Sequence, residues 1–274
     1  MDRRPSIPLP RRSLPALLAI AVPFLPLSQS SGTPTPAVSS SSPHGAPEQT
    51  IASLRAQAQA NPHSAQDWLR LGEALLLAGK PAEAISPFRK AASIDSRSGE
   101  ARLWLGRAYG AVGYRKQALD CFHRATELSP ANPAAWLALG TEQVHLSHHA
   151  QALPAFEKAC RLAPSSTAWF SVGVVYGELN RFSEAAAAYR KALALDPGNT
   201  DAWNNLGVAY EKLGRNRDAL QAYSKAFLLQ PTNPTVLQNA TRVGARIRSP
   251  AKAAPPRARS APRVGRSQSV TQSP

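Results

Sequence analysis

Between residues 65 and 233 apolar and polar positions follow a helical period, and the whole pattern then repeats. The word Trp68-Leu69-Arg70-Leu71-Gly72 returns as Trp136-Leu137-Ala138-Leu139-Gly140, as Trp169-Phe170-Ser171-Val172-Gly173 and as Trp203-Asn204-Asn205-Leu206-Gly207. With Gly106 included, the glycines stand 34, 34, 33 and 34 residues apart. Within each unit Trp, Leu, Gly and Tyr fall at positions 4, 7, 8 and 11, which places them on one helical face. A second apolar set follows at the same spacing: Ala84, Ala118, Ala152, Ala185 and Ala219, then Phe88, Phe122, Phe156, Tyr189 and Tyr223, then Ala91, Ala125, Ala159, Ala192 and Ala226. The pattern predicts five helix pairs, at about 65–98, 99–132, 133–165, 166–199 and 200–233. A fixed period of this length marks a stacked-repeat architecture.

A glycine inside a helix costs about 1 kcal/mol against alanine. Five in register must recover that through packing, the bare backbone admitting the partner helix and the aromatic of the second helix filling the gap. The turn between the helices is punctuated by Gly79, Gly113, Asn180 and Gly214, residues that tolerate the left-handed conformation ending a helix. Ser147 breaks this series and predicts a differently shaped third turn. Ser64 with Asp67 predicts a capping box. Asn132-Pro133 and Asn233-Pro234 predict a cap followed by proline at the first helical position. Pro130, Pro164, Pro197 and Pro231 close four units, and Ser96 replaces the proline in the first. At the front, Thr50, Leu54 and Gln57 fit the second-helix register, which predicts a degenerate half repeat over 48–60. At the back, Val236, Leu237, Ala240, Val243 and Ile247 predict a helix that caps the array, with polar residues between them.

These positions resemble the tetratricopeptide repeat (TPR) family, whose pattern runs W-x2-L-G-x2-Y, then A-x3-F, then P. The resemblance covers roughly residues 50 to 232. It departs at Arg102, where the second tryptophan is expected and Trp104 lies two places on, and at Leu75 and Gln143, where tyrosine is expected. It implies an all-α fold, a right-handed superhelical solenoid of antiparallel helix pairs. It further implies a concave groove lined by the first helices. The groove residues it assigns are Leu69, Glu73, Leu103, Arg107, Leu137, Thr141, Phe170, Val174, Asn204, Asn205 and Val208. This stripe is more apolar than charged through the middle repeats, which suits an amphipathic helix or an extended peptide. Phe170 and Val174 stand where the carboxylate clamp of chaperone-binding members needs lysine and asparagine. Asn204-Asn205 resembles the asparagine-bearing repeats of glycosyltransferase-type arrays, in a single repeat.

The chain of 274 residues carries a net charge of +15, but the excess concentrates at its ends. No acidic residue follows Asp218, while Arg242, Arg246, Arg248, Lys252, Arg257, Arg259, Arg263 and Arg266 do. A basic groove along the array is not supported. Arg3, Arg4, Arg11 and Arg12 precede an apolar run from Leu14 to Leu27, then Ser28, Ser30 and Ser31. Those are the parts of a secretory signal. The run as a helix would reach roughly 21 Å, short of the roughly 30 Å hydrocarbon core. The expectation is a signal over 1–30, cleaved near Ser30 or retained as an anchor, and hence a periplasmic or secreted protein. Residues 31–47 and 249–274, rich in Pro, Ser and Ala, read as a disordered linker and a disordered basic tail.

Candidate chemistry is sparse. Glycine-rich phosphate loops, HExxH, CxxC and GxSxG are all missing from the sequence. Cys121 and Cys160 read as small packing residues. His145, His148 and His149 form the one cluster with metal-ligand character, a weak candidate without a nearby thiol. The chain is therefore expected to be a non-enzymatic scaffold without cofactor, holding a protein or peptide in its groove. The alternative is an anionic-surface or nucleic-acid binder acting through the basic tail, where lipid or acidic polymer is a better expectation than nucleic acid. Oligomeric state is left open.

Overall fold

The computed structural model describes residues 46–248. The expected signal, all but the last two residues of the expected linker, and the basic tail lie outside them. All regular structure among the described residues is helical, and it falls into two compact units, one ending at Arg181 and one beginning at Phe182. The first unit holds α1 (Ala46–Ala60), α2 (Ala65–Leu77), α3 (Pro81–Ile94), α4 (Gly99–Val112), α5 (Arg115–Leu128), α6 (Pro133–His145), α7 (His149–Leu162) and α8 (Ser166–Glu178). The second holds α9 (Phe182–Leu195), α10 (Thr200–Lys212), α11 (Asn216–Leu229) and α12 (Pro234–Arg248). Within each unit every helix packs on the next in sequence. This is the all-α helical-repeat architecture.

Glycine and aromatic interlock as the period requires. A Cβ placed on Gly72 would lie 2.5 Å from the Phe88 ring, on Gly106 2.6 Å from Phe122, on Gly140 2.8 Å from Phe156, and on Gly207 2.6 Å from Tyr223. The rings of Phe88, Phe156 and Tyr223 are fully buried. Emptying such a site costs about 3–5 kcal/mol, well above the helix penalty of the glycine that admits the ring.

A second lock joins consecutive repeats. The indole N–H of Trp68 donates to the Pro62 carbonyl at 3.2 Å, that of Trp136 to Pro130 at 2.8 Å, and that of Trp203 to Pro197 at 2.9 Å. In each case the proline lies six residues earlier and closes the preceding unit. The second repeat has lost both halves of the lock together, with Arg102 six residues after Ser96. Trp104 packs elsewhere: it stacks on Phe88 with ring centroids 6.0 Å apart and planes 8° from parallel.

The five interhelical turns share one geometry. The backbone N–H of Lys80, Tyr114, His148, Arg181 and Arg215 donates to the carbonyl five residues earlier, at 2.8–2.9 Å. Such a bond closes a helix end when the intervening residue is left-handed. Gly79, Gly113, Asn180 and Gly214 have φ of 71°, 95°, 59° and 74°, and Ser147 has φ of 61°. The third turn is thus shaped like the others, contrary to the sequence expectation. The flanking hydrogen bonds impose the conformation, and serine adopts it against its preference.

The 33-residue spacing is a deletion in one loop. Three residues join α7 to α8, where four join α5 to α6 and α9 to α10. The cap adapts: Ser165 is extended (φ −140°, ψ 153°), whereas Asn132 and Asn199 sit near φ −86° and −71°.

The ends differ from a plain repeat. Ser64 accepts from the Asp67 N–H at 3.3 Å, but the Asp67 carboxylate does not complete a capping box. It accepts instead from Gln57 Nε2 at 2.9 Å and Asn61 Nδ2 at 3.0 Å, fastening α1 to α2. In α1, Ile51 and Ala58 are the buried residues, while Gln57 and Thr50 are exposed. The helix is turned from the expected register because it lacks a first helix of its own and packs mainly on α2. The Asn132 and Asn233 caps and the prolines after them form as expected.

Candidate functional site

In the first unit α2, α4, α6 and α8 contact one another in succession, so the first helices form a row. Of the groove residues expected on it, Leu69, Leu103, Thr141 and Val174 are only 4%, 5%, 7% and 4% exposed. They belong to the packing beneath the face. Thr141 turns its hydroxyl back to the Leu137 carbonyl at 2.8 Å. Glu73, Arg107, Leu137 and Phe170 are half-buried, each with part of its side chain on the surface.

The row changes character along its length. At its α2–α4 end lie Glu73 and Arg107. Burial pushes the Glu73 carboxyl up, Glu100 adds to this, and Arg107 and Arg70 oppose it. Burial pushes the Arg107 guanidinium down against the pull of Glu73, and its Cζ lies 4.6 Å from the Trp104 ring centroid. That guanidinium is held over an aromatic face, a contact worth about 0.5–2 kcal/mol. At the α6–α8 end the half-buried side chains are Leu137 and Phe170, which are apolar.

The three histidines are not brought together as a metal site. Arg115 Nη1 lies 3.3 Å from both Glu142 oxygens, and the Glu142 side chain is nearly buried. His145 Nδ1 sits 3.7 Å from Glu142 and 3.2 Å from Arg115. The cluster ties α5 to α6. His148 and His149 occupy the cap and first position of α7. Among the described residues no group of three or more His, Cys, Asp or Glu side chains could hold a metal ion. Both cysteines are buried, and burial pushes the Cys121 thiol up to about 11.

In the second unit Asn204, Asn205 and Val208 are half-buried on α10. Asn204 accepts from Asn239 Nδ2 on α12 at 3.0 Å and donates to Asn205 at 3.4 Å. Its amide is therefore spent on the capping helix. Beside it Glu211 accepts from Arg242 Nη2 at 2.7 Å, from Arg246 Nη1 at 2.6 Å and from the Tyr223 hydroxyl at 3.1 Å. Burial alone would raise the Glu211 carboxyl, but the Arg242 hydrogen bond and its neighbours outweigh it and hold the group below its ordinary value. Sequence reasoning missed this anchor, whose partners come from three helices far apart in sequence. Two of the cations counted toward the basic end of the chain are thus engaged by a carboxylate at the surface of the fold.

Repeated helix hairpins, glycine–aromatic interlocks and a row of first helices define a tetratricopeptide-repeat protein, a class of protein-interaction scaffolds. The chain belongs to the family described as the Cilia and flagella-associated protein 70 C-terminal domain, whose model matches residues 45–248. Among solved structures it is similar to YrrB, described as a TPR protein with an unusual peptide-binding site. The identity is 25% and the TM-score 0.61, over 70% of this chain and 99% of that one. It also shares its fold with MamA of Desulfovibrio magneticus RS-1, at 22% identity and TM-score 0.58 over 62% of this chain and 97% of that one. The Cut9–Hcn1 structure shares it at 17% identity and TM-score 0.61, over 72% and 39%. No curated protein matches the chain significantly.

Proposed function

We propose that this protein is an exported, non-enzymatic adaptor that holds a peptide or protein segment on the first-helix face of its first unit. The observation that carries this is the pair Leu137 and Phe170, half-buried at equivalent positions of α6 and α8, two helices in direct contact. Apolar side chains at equivalent positions of adjoining helices offer neighbouring sites for the apolar residues of a helix or extended segment. YrrB, with its peptide-binding site, supports the ligand class. The Glu73–Arg107 end would orient the segment by charge. Export rests on Arg3, Arg4, Arg11 and Arg12 before the apolar run to Leu27. The protein is then periplasmic or secreted, or membrane-tethered where the signal stays in place.

A Leu137→Asp, Phe170→Asp double variant tests the reading. Both side chains already reach the surface, so the variant is expected to keep its helical circular dichroism while losing the proteins that the full chain captures from native extract. Undiminished capture by the folded variant would sink the first-helix face as the docking site.

A further inference from the structure

The second unit carries a cleft of about 710 Å³ lined by α9, α10 and α11. Its floor is Leu193, Leu206 and Ala222, all buried. Its walls are Trp203, Tyr210 and Leu228, the last of them 72% exposed. Trp203, Leu206 and Tyr210 stand at helical spacing on α10, so one face of that helix is turned into the cleft. Arg190 from α9 and Lys225 from α11 stand on the rim, and neither makes an ion pair among the described residues. The one acidic residue of the lining, Asp218, is engaged by Arg215 Nε at 2.7 Å. The cleft is thus apolar inside and positive at its edge.

The repeat does not require this. At the junction of the second and third repeats the positions of Ala194 and Leu228 read Glu127 and Arg161, while Trp203, Leu206 and Tyr210 are residues of the repeat pattern itself. The glycine–aromatic lock and the tryptophan–proline lock are satisfied at both junctions, and Glu127, Ala194, Arg161 and Leu228 are all exposed, so packing leaves these two positions open. Apolar residues at the later junction, one of them largely exposed, point to a surface that is covered by a partner.

We infer that this cleft docks a separate polypeptide in which leucine or aromatic side chains are flanked by carboxylates. Charge complementarity selects the occupant. The chain's own segments outside the described residues carry the same sign as the rim and are repelled by it: residues 249–274 contain five Lys or Arg and no Asp or Glu, and residues 1–45 contain Arg3, Arg4, Arg11 and Arg12 against Asp2 alone. A carboxylate between Arg190 and Lys225 gains charge-assisted hydrogen bonds, while an apolar side chain displaces water from the floor. This site is distinct in sequence and in unit from the first-helix face.

The test is selection of a random twelve-residue peptide-display library on the immobilised full chain, with binding of the enriched peptides measured by fluorescence polarisation. An Arg190→Glu, Lys225→Glu variant, a Leu228→Ser variant and the Leu137→Asp, Phe170→Asp variant serve as comparisons, each checked by circular dichroism. The expected result is a peptide class rich in Asp or Glu around Leu, Phe or Trp. Its Kd should rise at least tenfold on the rim variant, several-fold on Leu228→Ser, and not at all on the first-helix variant. Enrichment of basic peptides, equal binding to the rim variant, or no enriched acidic class would overturn the inference. Acidic peptides lost only on the first-helix variant would overturn it while supporting the other face.

Discussion

Ser147 holds the backbone conformation that glycine holds at Gly79, Gly113 and Gly214. Its hydrogen bonds match theirs, so the strain stays local to one residue. Ser147→Gly is expected to stabilise the protein by about 0.5–1 kcal/mol, a rise of roughly 2–4 °C in Tm that a thermal melt would read. The packing glycines predict the reverse sign. Gly140→Ala gains about 1 kcal/mol of helix propensity but sets a methyl 2.8 Å from a fully buried Phe156 ring. Overpacking of that kind costs about 1–3 kcal/mol. The ring is wedged between two helices and has little room to retreat, so chemical denaturation should show a net loss of about 1–2 kcal/mol. A neutral or stabilising alanine would mean that the interlock is slack. These residue-scale rules were legible in the sequence because the period exposes them. The third turn was misread because a serine says nothing of the hydrogen bonds on either side that force its φ.

At the scale of elements, repetition dictates the interior helices and the terminal ones need their own devices. α1 is held by Asp67 accepting from Gln57 and Asn61. α12 is held by Glu211 and by the Asn204–Asn239 pair. Sequence placed α12 from its apolar stripe, with Arg242 and Arg246 among the polar residues between, but nothing local to α12 reveals the carboxylate 31 residues before Arg242. Glu211→Gln should weaken both arginine contacts by about 1 kcal/mol and speed amide exchange in α12 while leaving α10 protected. The same anchor carries a pH dependence. The folded carboxyl lies below its ordinary value of 4.5, so its contribution is present above that value and lost as pH falls through the lowered one. Exchange in α12 should therefore accelerate in acid, and the glutamine variant should show no such step. Equal acid sensitivity in both proteins would place the α12 anchor elsewhere.

At the scale of the whole molecule, a repeat architecture separates what folds the chain from what it presents. The glycines, alanines, aromatics and tryptophans are consumed by packing, and function is left to the positions between them. That is why the fold was readable from spacing while the site was only partly so. Position 5 was expected to line a groove throughout, yet Leu69 and Leu103 are buried where Leu137 and Phe170 reach the surface. Spacing assigns a residue to a helix face, but exposure depends on the neighbouring side chains, and those vary from repeat to repeat. The α9–α11 cleft escaped notice for a related reason: Arg190, Lys225 and Leu228, which set its edge, lie on second helices at positions that carry no repeating signature.

The central claim is that a partner docks on the first-helix face rather than on the basic terminus. Isothermal titration of a captured partner tests it most directly, using the full chain, the Leu137→Asp, Phe170→Asp variant and a chain lacking residues 249–274. The Kd is expected to rise at least a hundredfold in the double variant and to stay within about twofold on truncation, at low and at moderate salt. Unchanged affinity in the double variant, together with salt-sensitive binding that vanishes on truncation, would contradict it.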